Sequence, residues 1–219
     1  MTSIVQIRGE ELHLLPERAL YWPSEEMVMI ADMHCGKAAT FRAHSLPIPD
    51  GNMEADFGRL SSVLERTGAA TLAILGDWIH AEAGCTAAVI RAVNAWRSRH
   101  PRLRVLWIRG NHDRVPATVV ARFGLEDVGE ALVSGPFLLQ HKPSEHPSLF
   151  SIAGHIHPVV PLRGPGIRQN LACFYFDSSG ALLPAFSSFT RGFKIHIRNS
   201  SRVFIPTGDE VVEWRSREA

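Results

Sequence analysis

Three short segments in the first half of the chain are almost wholly apolar: Met27–Ala31, Thr71–Leu75 and Leu103–Ile108. Runs of this length without polar alternation predict strands buried on both faces. Between them, Asn52–Thr67 places Phe57, Leu60, Val63 and Leu64 at helical spacing and stops at Gly68. Gly84–Arg99 reads as a second amphipathic helix closed by His100-Pro101, and Pro116–Phe123 as a short third one. Ahead of them all, Ile4–Leu15 alternates about Arg8-Gly9-Glu10 as a hairpin. This strand–loop–helix rhythm predicts α/β layering around parallel strands, whose carboxyl ends are where ligands gather.

From Ala131 the texture changes to short apolar runs, Phe137–Gln140, Leu149–Ala153, Leu171–Phe176 and Val203–Ile205, separated by Gly, Pro and Ser. These predict an antiparallel sheet. No internal repeat is visible, and the Pro- and Gly-rich stretch Pro158–Gly166 is too short to separate domains. Residues 1–219 therefore read as one domain of two packed sheets flanked by helices.

Composition narrows the function classes. With 45% apolar and 21% charged residues the chain is globular, and 23 Lys plus Arg against 22 Asp plus Glu leave no bulk charge that points to nucleic acid or membrane. The apolar stretches are far below the roughly 20 residues of a membrane span. The first ten residues hold no basic start followed by an apolar run, so no secretory leader is expected. Cys35, Cys85 and Cys173 are odd in number and far apart, which fits a reducing cytoplasm better than a disulfide framework or a zinc ribbon. The anomaly is histidine, with 11 copies.

Five polar clusters end or follow the apolar runs: Asp32-x-His34, Gly76-Asp77, Gly110-Asn-His-Asp113, His141 and Gly154-His-Ile-His157. Residues i and i+2 of an extended segment share a side, so Asp32 with His34, and His155 with His157, can each reach one metal. Each cluster also has a structural reading. Asp32 could cap a helix beginning at Gly36, Asp77 could shape a turn, and Asn111 could bridge backbone groups. Gly154 and Pro158 hold His155 and His157 in a tight loop beyond a buried strand, where metal binding is favoured over packing. The amide oxygen of Asn111 is a neutral hard ligand, and the company of the other clusters favours that role.

In order and kind, these clusters resemble the calcineurin-like metallophosphoesterases, whose pattern is Asp-x-His, Gly-Asp, Gly-Asn-His-Asp/Glu, His and Gly-His-x-His. The resemblance spans about Asp32 to Pro158 and implies an αββα sandwich with a two-metal site between the sheets. It implies one metal on Asp32, His34, Asp77 and His157, and a second on Asp77, Asn111, His141 and His155, with Asp77 shared. A closer resemblance is to the ligase-associated branch of that family, bacterial manganese-dependent DNA endonucleases of the PdeM type encoded beside a DNA ligase and a helicase. It rests on Ala31–Arg42, Pro47-Ile-Pro49, Leu183-Pro-Ala-Phe186 and Ser188-Phe-Thr190, with a departure at Arg191 that bears on a substrate contact and not on the metals.

Ser/Thr phosphatases of the superfamily carry Gly-Asp-x-x-Asp-Arg-Gly, where this chain has Gly76-Asp-Trp-Ile-His-Ala-Glu82. His80 at that position is similar to the SbcD-type repair nucleases, which favours a nuclease over a protein phosphatase. The implied mechanism is attack by a hydroxide held between two metals, with His112 as general acid, His80 positioning it or the substrate, and Asp113 orienting the loop. Oxygen and imidazole ligands suit Mn²⁺, Fe or Zn²⁺, and the family favours Mn²⁺. Cys35 reads as a buried filler, and Trp78 as core rather than a base-stacking ring. The basic run Arg91–Arg104 serves a solvated helix end as well as it would serve DNA. From Arg163 to Arg202 six basic residues face one acid, Asp177, a local +5 that modestly supports nucleic acid.

The leading expectation is thus a Mn²⁺-dependent DNA endonuclease, with DNA repair as its setting, no membrane partner, and a link to ligase and helicase implied by the resemblance alone. The alternative is a phosphodiesterase or pyrophosphatase acting on a small nucleotide or lipid precursor. A metal-binding scaffold without turnover is disfavoured, because no ligand or acid position is lost.

Overall fold

The computed structural model describes residues 2–49, 53–115, 117–164 and 166–214. The first sheet holds β1 (Ser3–Ile7), β2 (Glu10–Leu15), β3 (Ala19–Trp22), β4 (Met27–Ile30), β5 (Thr71–Leu75), β6 (Arg104–Ile108) and β7 (Glu126–Asp127), in that spatial order. The β1–β2 hairpin turns at Arg8-Gly9, with Ile7 opposite Glu10, as expected. From β4 to β7 the pairing is parallel. Helices α1 (Lys37–Ala43) and α2 (Met53–Thr67) connect β4 to β5, α3 (Ala87–Arg99) connects β5 to β6, and α4 (Ala117–Val120) follows β6.

The uninterrupted apolar runs have the predicted cause. Along β4, β5 and β6, Met29, Ala73, Leu75, Leu106 and Ile108 face a core shared with the second sheet, while Val28, Ile30, Leu72, Ile74, Val105 and Trp107 face helices. On the helical side α2 inserts Phe57, Leu60, Val63 and Leu64, and α3 inserts Val89, Val93 and Trp96. The second helix starts later than its sequence pattern predicts. The Thr86 hydroxyl accepts from the Val89 N–H and caps α3, and Glu82–Gly84 forms a separate 3-10 turn. The predicted helix starts at Asn52 and Pro116 lie outside the described residues.

The second sheet has the order β17 (Val211–Trp214), β16 (Arg202–Pro206), β13 (Phe174–Phe176), β14 (Gly180–Leu182), β10 (Phe150–Ala153), β9 (Phe137–Gln140) and β8 (Ala131–Ser134). The antiparallel expectation needs correction: β10 runs parallel to both β9 and β14, so this sheet is mixed. Its inner face supplies Phe137, Leu139, Phe150, Ile152, Phe174, Phe176 and Phe204 to the shared core. Its outer face is covered by a three-stranded sheet, β12 (Ile167–Ala172), β11 (Pro158–Gly164) and β15 (Phe193–Lys194), in that order. The α/β expectation of two packed sheets therefore holds, both of them mixed. The described helices α2 and α3 lie on the first sheet, and a small sheet takes the place of helices on the second. No described helix is long and apolar enough to cross a membrane.

Parallel pairing in both sheets sends β4, β5, β6, β9 and β10 to one edge of the sandwich. Each leaves that edge directly into one of the five polar clusters.

Candidate metal centre

Asp32 leaves β4 after Ala31, Asp77 leaves β5 after Gly76, and Asn111 leaves β6 after Arg109-Gly110. The first two loops stay zipped beyond the sheet. Asp32 N–H donates to Gly76 O (3.2 Å), His34 N–H to Asp77 O (2.8 Å), Cys35 N–H to Trp78 O (2.8 Å) and His80 N–H to Cys35 O (3.0 Å). From the second sheet, His141 follows β9 and Gly154-His155 follows β10, with Gly154 N–H donating to His141 O.

The backbone here is not the extended segment assumed for Asp-x-His. Asp32, His34, Asp77, His155 and His157 all have positive φ, between 48° and 68°. Asp and His tolerate this left-handed region better than most residues, and such conformations persist where the surroundings over-determine them. His155 and His157 fall in different groups, whereas Asp32 and His34 fall in the same one. The ligand atoms of Asp32, His34 and His157 lie within 4.8 Å of one another, and those of Asp77, His141 and His155 form a second such group. Asp77 Oδ2 faces both groups, 3.8 Å from His34 Nε2 and 3.4 Å from His141 Nε2, and Asn111 Oδ1 stands 3.0 Å from His141 Nε2. All seven residues singled out as metal-binding in the sequence meet in one place.

Hydrogen bonds fix which imidazole nitrogens carry protons. His141 Nδ1 donates to Leu75 O (3.0 Å), and His157 Nδ1 to Arg191 O (3.1 Å). The remaining Nε2 lone pairs then point at oxygens, His157 Nε2 at Asp32 Oδ1 over 2.9 Å and His141 Nε2 at Asp77 and Asn111. Acceptors aimed at acceptors are costly unless a proton or a cation lies between them. Asp32 Oδ1, His34 Nε2 and His157 Nε2 are buried without a hydrogen-bond partner. A donor set of carboxylates, an amide oxygen and imidazoles, with buried atoms left without hydrogen bonds, fits divalent cations.

Electrostatics keep His34 and His155 neutral and ready to ligate. Burial holds His34 far below the usual histidine range, with Lys37 and the neighbouring histidines adding to it, and burial with His141 lowers His155. His157 is raised: burial opposes the charge, but the Asp32 carboxylate outweighs it. The Asp77 carboxyl is raised by burial and by Asp32, against the donated N–H of His112.

Two glycines admit these contacts. A Cβ on Gly76 would stand 2.3 Å from His141 Nδ1, and one on Gly110 would stand 2.1 Å from Asp77 Oδ1.

His112 sits at the rim, exposed. Its N–H donates to Asp77 Oδ1 (2.9 Å), and its Nδ1 donates to the carbonyl of His80 (3.0 Å). The rings of His80 and His112 stack at 4.7 Å with planes 19° apart. His80 Nδ1 lies 3.2 Å from His34 Nδ1, and burial, with His112 and Lys37, pushes its pKa down to about 4. If His34 is to offer Nε2, its Nδ1–H must donate to a neutral His80, which the lowered pKa secures. His80 thus touches its neighbours through a ring nitrogen and a carbonyl. The Asp113 carboxylate accepts from Ile79 N–H (2.9 Å), Gly110 N–H (2.8 Å) and the Trp107 indole (3.1 Å), tying two polar loops together. Burial raises it to about 6.

The brace behind Asp32 uses the Leu183–Phe186 segment of the resemblance in a role that no local pattern announces. Phe186 N–H donates to Ala31 O and Ser187 N–H to Asp32 O, and the carbonyls of that strap are held by Arg18 (to Ala185 and Ser187) and Arg59 (to Phe186). Arg18 and Arg59 lie in unremarkable contexts, and only the fold brings them here. Arg191 matters through its carbonyl on His157, so its side chain is free to depart from the family pattern. Lys37 reaches Thr190 Oγ1 (3.5 Å) beside a cavity of about 410 Å³ that His34, Arg42, Thr86 and Phe189 help to line. Trp78 and Cys35 are buried, as their packing readings require. In the basic run, Arg104 pairs with Glu126, and the run precedes β6, at the sheet end opposite the cluster.

No family model and no curated protein matches the chain. Among solved structures, the chain is similar to the nuclease MPE of Pseudomonas putida, with a TM-score of 0.83 and 38% identity over 95% of this chain and 98% of that one. Fainter likenesses are to AQ665, a protein of unknown function from Aquifex aeolicus (TM-score 0.41, 18% identity, 60% and 78% covered), and to the Escherichia coli phosphoesterase Yfce (0.43, 14%, 86% and 97%). A two-sheet sandwich whose strand ends gather two His/Asp groups is the architecture of a metal-dependent phosphoesterase. At this identity and coverage to the first of these structures, the chain belongs to the metallophosphoesterase family.

Proposed function

We propose that the chain is a single-domain, manganese-dependent DNA endonuclease that hydrolyses phosphodiester bonds at this centre, with a cytoplasmic role in DNA repair. The observation that carries the reading is the pair of His/Asp groups facing a common Asp77, with three buried ligand atoms left without partners. The similar Pseudomonas putida protein is a nuclease, which supports nucleic acid as substrate. The resemblance to the ligase-associated branch supports manganese, and a functional link to ligase and helicase.

Asp32, His34, Asp77 and His157 would hold one ion, and Asp77, Asn111, His141 and His155 the other. Bound there, two divalent ions supply neutralisation of the phosphoryl oxygens and activation of water. The protein's own residues do the rest. With Nδ1–H committed to the His80 carbonyl, a protonated His112 presents Nε2–H outward, so one defined nitrogen protonates the leaving oxygen. On giving up that proton the ring keeps its Nδ1–H and its orientation. His80 positions both His112, through its carbonyl, and His34, through its ring. Asp113 holds the loop that carries Asn111 and His112 against the loop that carries Asp77.

The test is to incubate the purified chain with supercoiled plasmid in Mn²⁺, Mg²⁺ or chelator, beside His112→Ala, and to score nicked and linear products. Nicking by the wild type alone, only with a transition metal, is expected. Intact plasmid beside turnover of a small phosphodiester would replace this reading with a small nucleotide or lipid-precursor substrate.

A further inference from the structure

The centre described above leaves the outer three-stranded sheet without a task, yet that sheet grows out of it. Pro158 of β11 directly follows His157, Phe193 N–H of β15 donates to His157 O (3.0 Å), and His157 Nδ1 donates to Arg191 O. Register decides which side chains share its free face. Val160 and Leu171, cross-strand partners, turn inward onto the second sheet. Alternate positions on β11 and β12 therefore point outward, among them Arg163, Arg168 and Asn170. Lys194, in register with Val159, falls on the same side. Consistent with this, Arg163, Arg168, Asn170 and Lys194 line one open pocket of about 380 Å³.

Two features of this face point to an anion. Arg163 and Arg168 are directly opposed cross-strand partners, a like-charge pairing that costs stability unless something negative lies between them. Arg66, Arg104, Arg109 and Arg202 each pair with a carboxylate, whereas Arg163, Arg168 and Lys194 have no such partner among the described residues. Asp177, the only acid from Arg163 to Arg202, is engaged by Ser179 and Gly180. Six residues of strand separate His157 from Arg163, about 20 Å at 3.3 Å per residue. The cations themselves, from Lys194 level with Val159 to Arg163, span about 13 Å of strand, which suits a polymer with a phosphate at regular intervals and not a lone phosphodiester.

Resting on the phosphodiesterase reading above, we propose that the outer face of β11, β12 and β15 binds the phosphate backbone of the substrate DNA on one side of the scissile bond. Each phosphate contact releases counterions, so the face should set the salt dependence of the reaction without touching the chemistry.

The experiment compares wild type with Arg163→Glu/Arg168→Glu/Lys194→Glu and with the milder triple alanine variant. Each is assayed on a long oligodeoxynucleotide and on a chromogenic small phosphodiester, over a range of NaCl. Expected are a drop of about 10-fold or more on the long DNA and a log–log salt slope shallower by about 2–3, since each contact contributes about 0.7–0.9. Turnover of the small diester should match wild type in both variants. Unchanged DNA cleavage and slope in both triples would overturn the assignment of this face and leave the nuclease reading intact. Wild type that turns over the small diester and leaves DNA whole would overturn the nuclease reading, and this face with it. A triple variant that loses both activities together would also overturn the inference, since the face would then support the centre itself.

Discussion

The two His/Asp groups differ in how well they manage alone. Around Asp77, His141 and His155, atoms meet one another: His141 Nε2 contacts Asn111 Oδ1, and His155 Nδ1 lies 3.1 Å from His141 Nε2. Around Asp32, His34 and His157, the nitrogen of His157 comes within 2.9 Å of Asp32 Oδ1, yet both atoms and His34 Nε2 are buried without an aligned hydrogen bond. Burial does not separate the two groups, since each has two buried members and one half-buried histidine. A buried polar atom without a partner costs about 1–3 kcal/mol, so the first group gains more from an ion than the second. The Asp32 group is thus the tighter position, and His112 stands beside it, with its ring centroid 5.3 Å from that of His34.

The strongest way to break this contrast is to remove what the groups share. Asp77→Ala should abolish measurable phosphodiester turnover and lower bound metal at both positions, read by elemental analysis after gel filtration. Two retained ions would show that Asp77 joins nothing. Next in size, His112→Ala should cost about 10²–10⁴-fold on substrates with poor leaving groups while metal content stays at the wild-type value. The loss should shrink for a nitrophenolate, which needs no proton. A smaller effect tests the tight position from outside: His80→Ala, which removes the acceptor for His34, should cost about 10–100-fold in metal affinity or activity. If titration of the metal-free protein shows the weaker site affected instead, the ranking of the two groups is reversed.

The smallest expected effect is on the metal-free protein's stability against pH. A histidine lowered to about 4 when folded binds fewer protons than its unfolded counterpart between about pH 4 and 6.5. Its contribution is therefore full above the unfolded value and lost as pH falls through that window. Melting temperatures of the chelated wild type and of His80→Gln should converge on acidification. A constant gap would show that His80 is not held neutral.

The extent to which the molecule could be read in advance follows a similar division. Strands β4, β5 and β6 announce themselves because burial on both faces leaves runs with no polar residue to blur them, and the clusters at their ends carry rare combinations of Asp, Asn and His. In the second half the runs are four or five residues long. Alternation there reports which face is buried and not which way a strand points, so the parallel pairing of β10 with β9 and β14 was not visible. The reason first given for Asp-x-His, a shared side of an extended strand, does not hold in a backbone at φ 57° and 48°. Both residues are themselves left-handed, and they still meet in one group. The grip of Arg18 and Arg59 on residues 185–187 joins positions more than 120 apart and has no local signature.

Each group draws on both sheets: Asp32 and His34 from the first with His157 from the second, Asp77 from the first with His141 and His155 from the second. Neither half of the polypeptide can assemble either group by itself. While the protein is being synthesised, the ribosome must release His157, and then the strap at residues 185–187 that braces Asp32, before any hydrolytic centre can exist. A copy that stops short of His157 therefore lacks a member of the first group, and one that stops short of residue 185 lacks the brace behind Asp32.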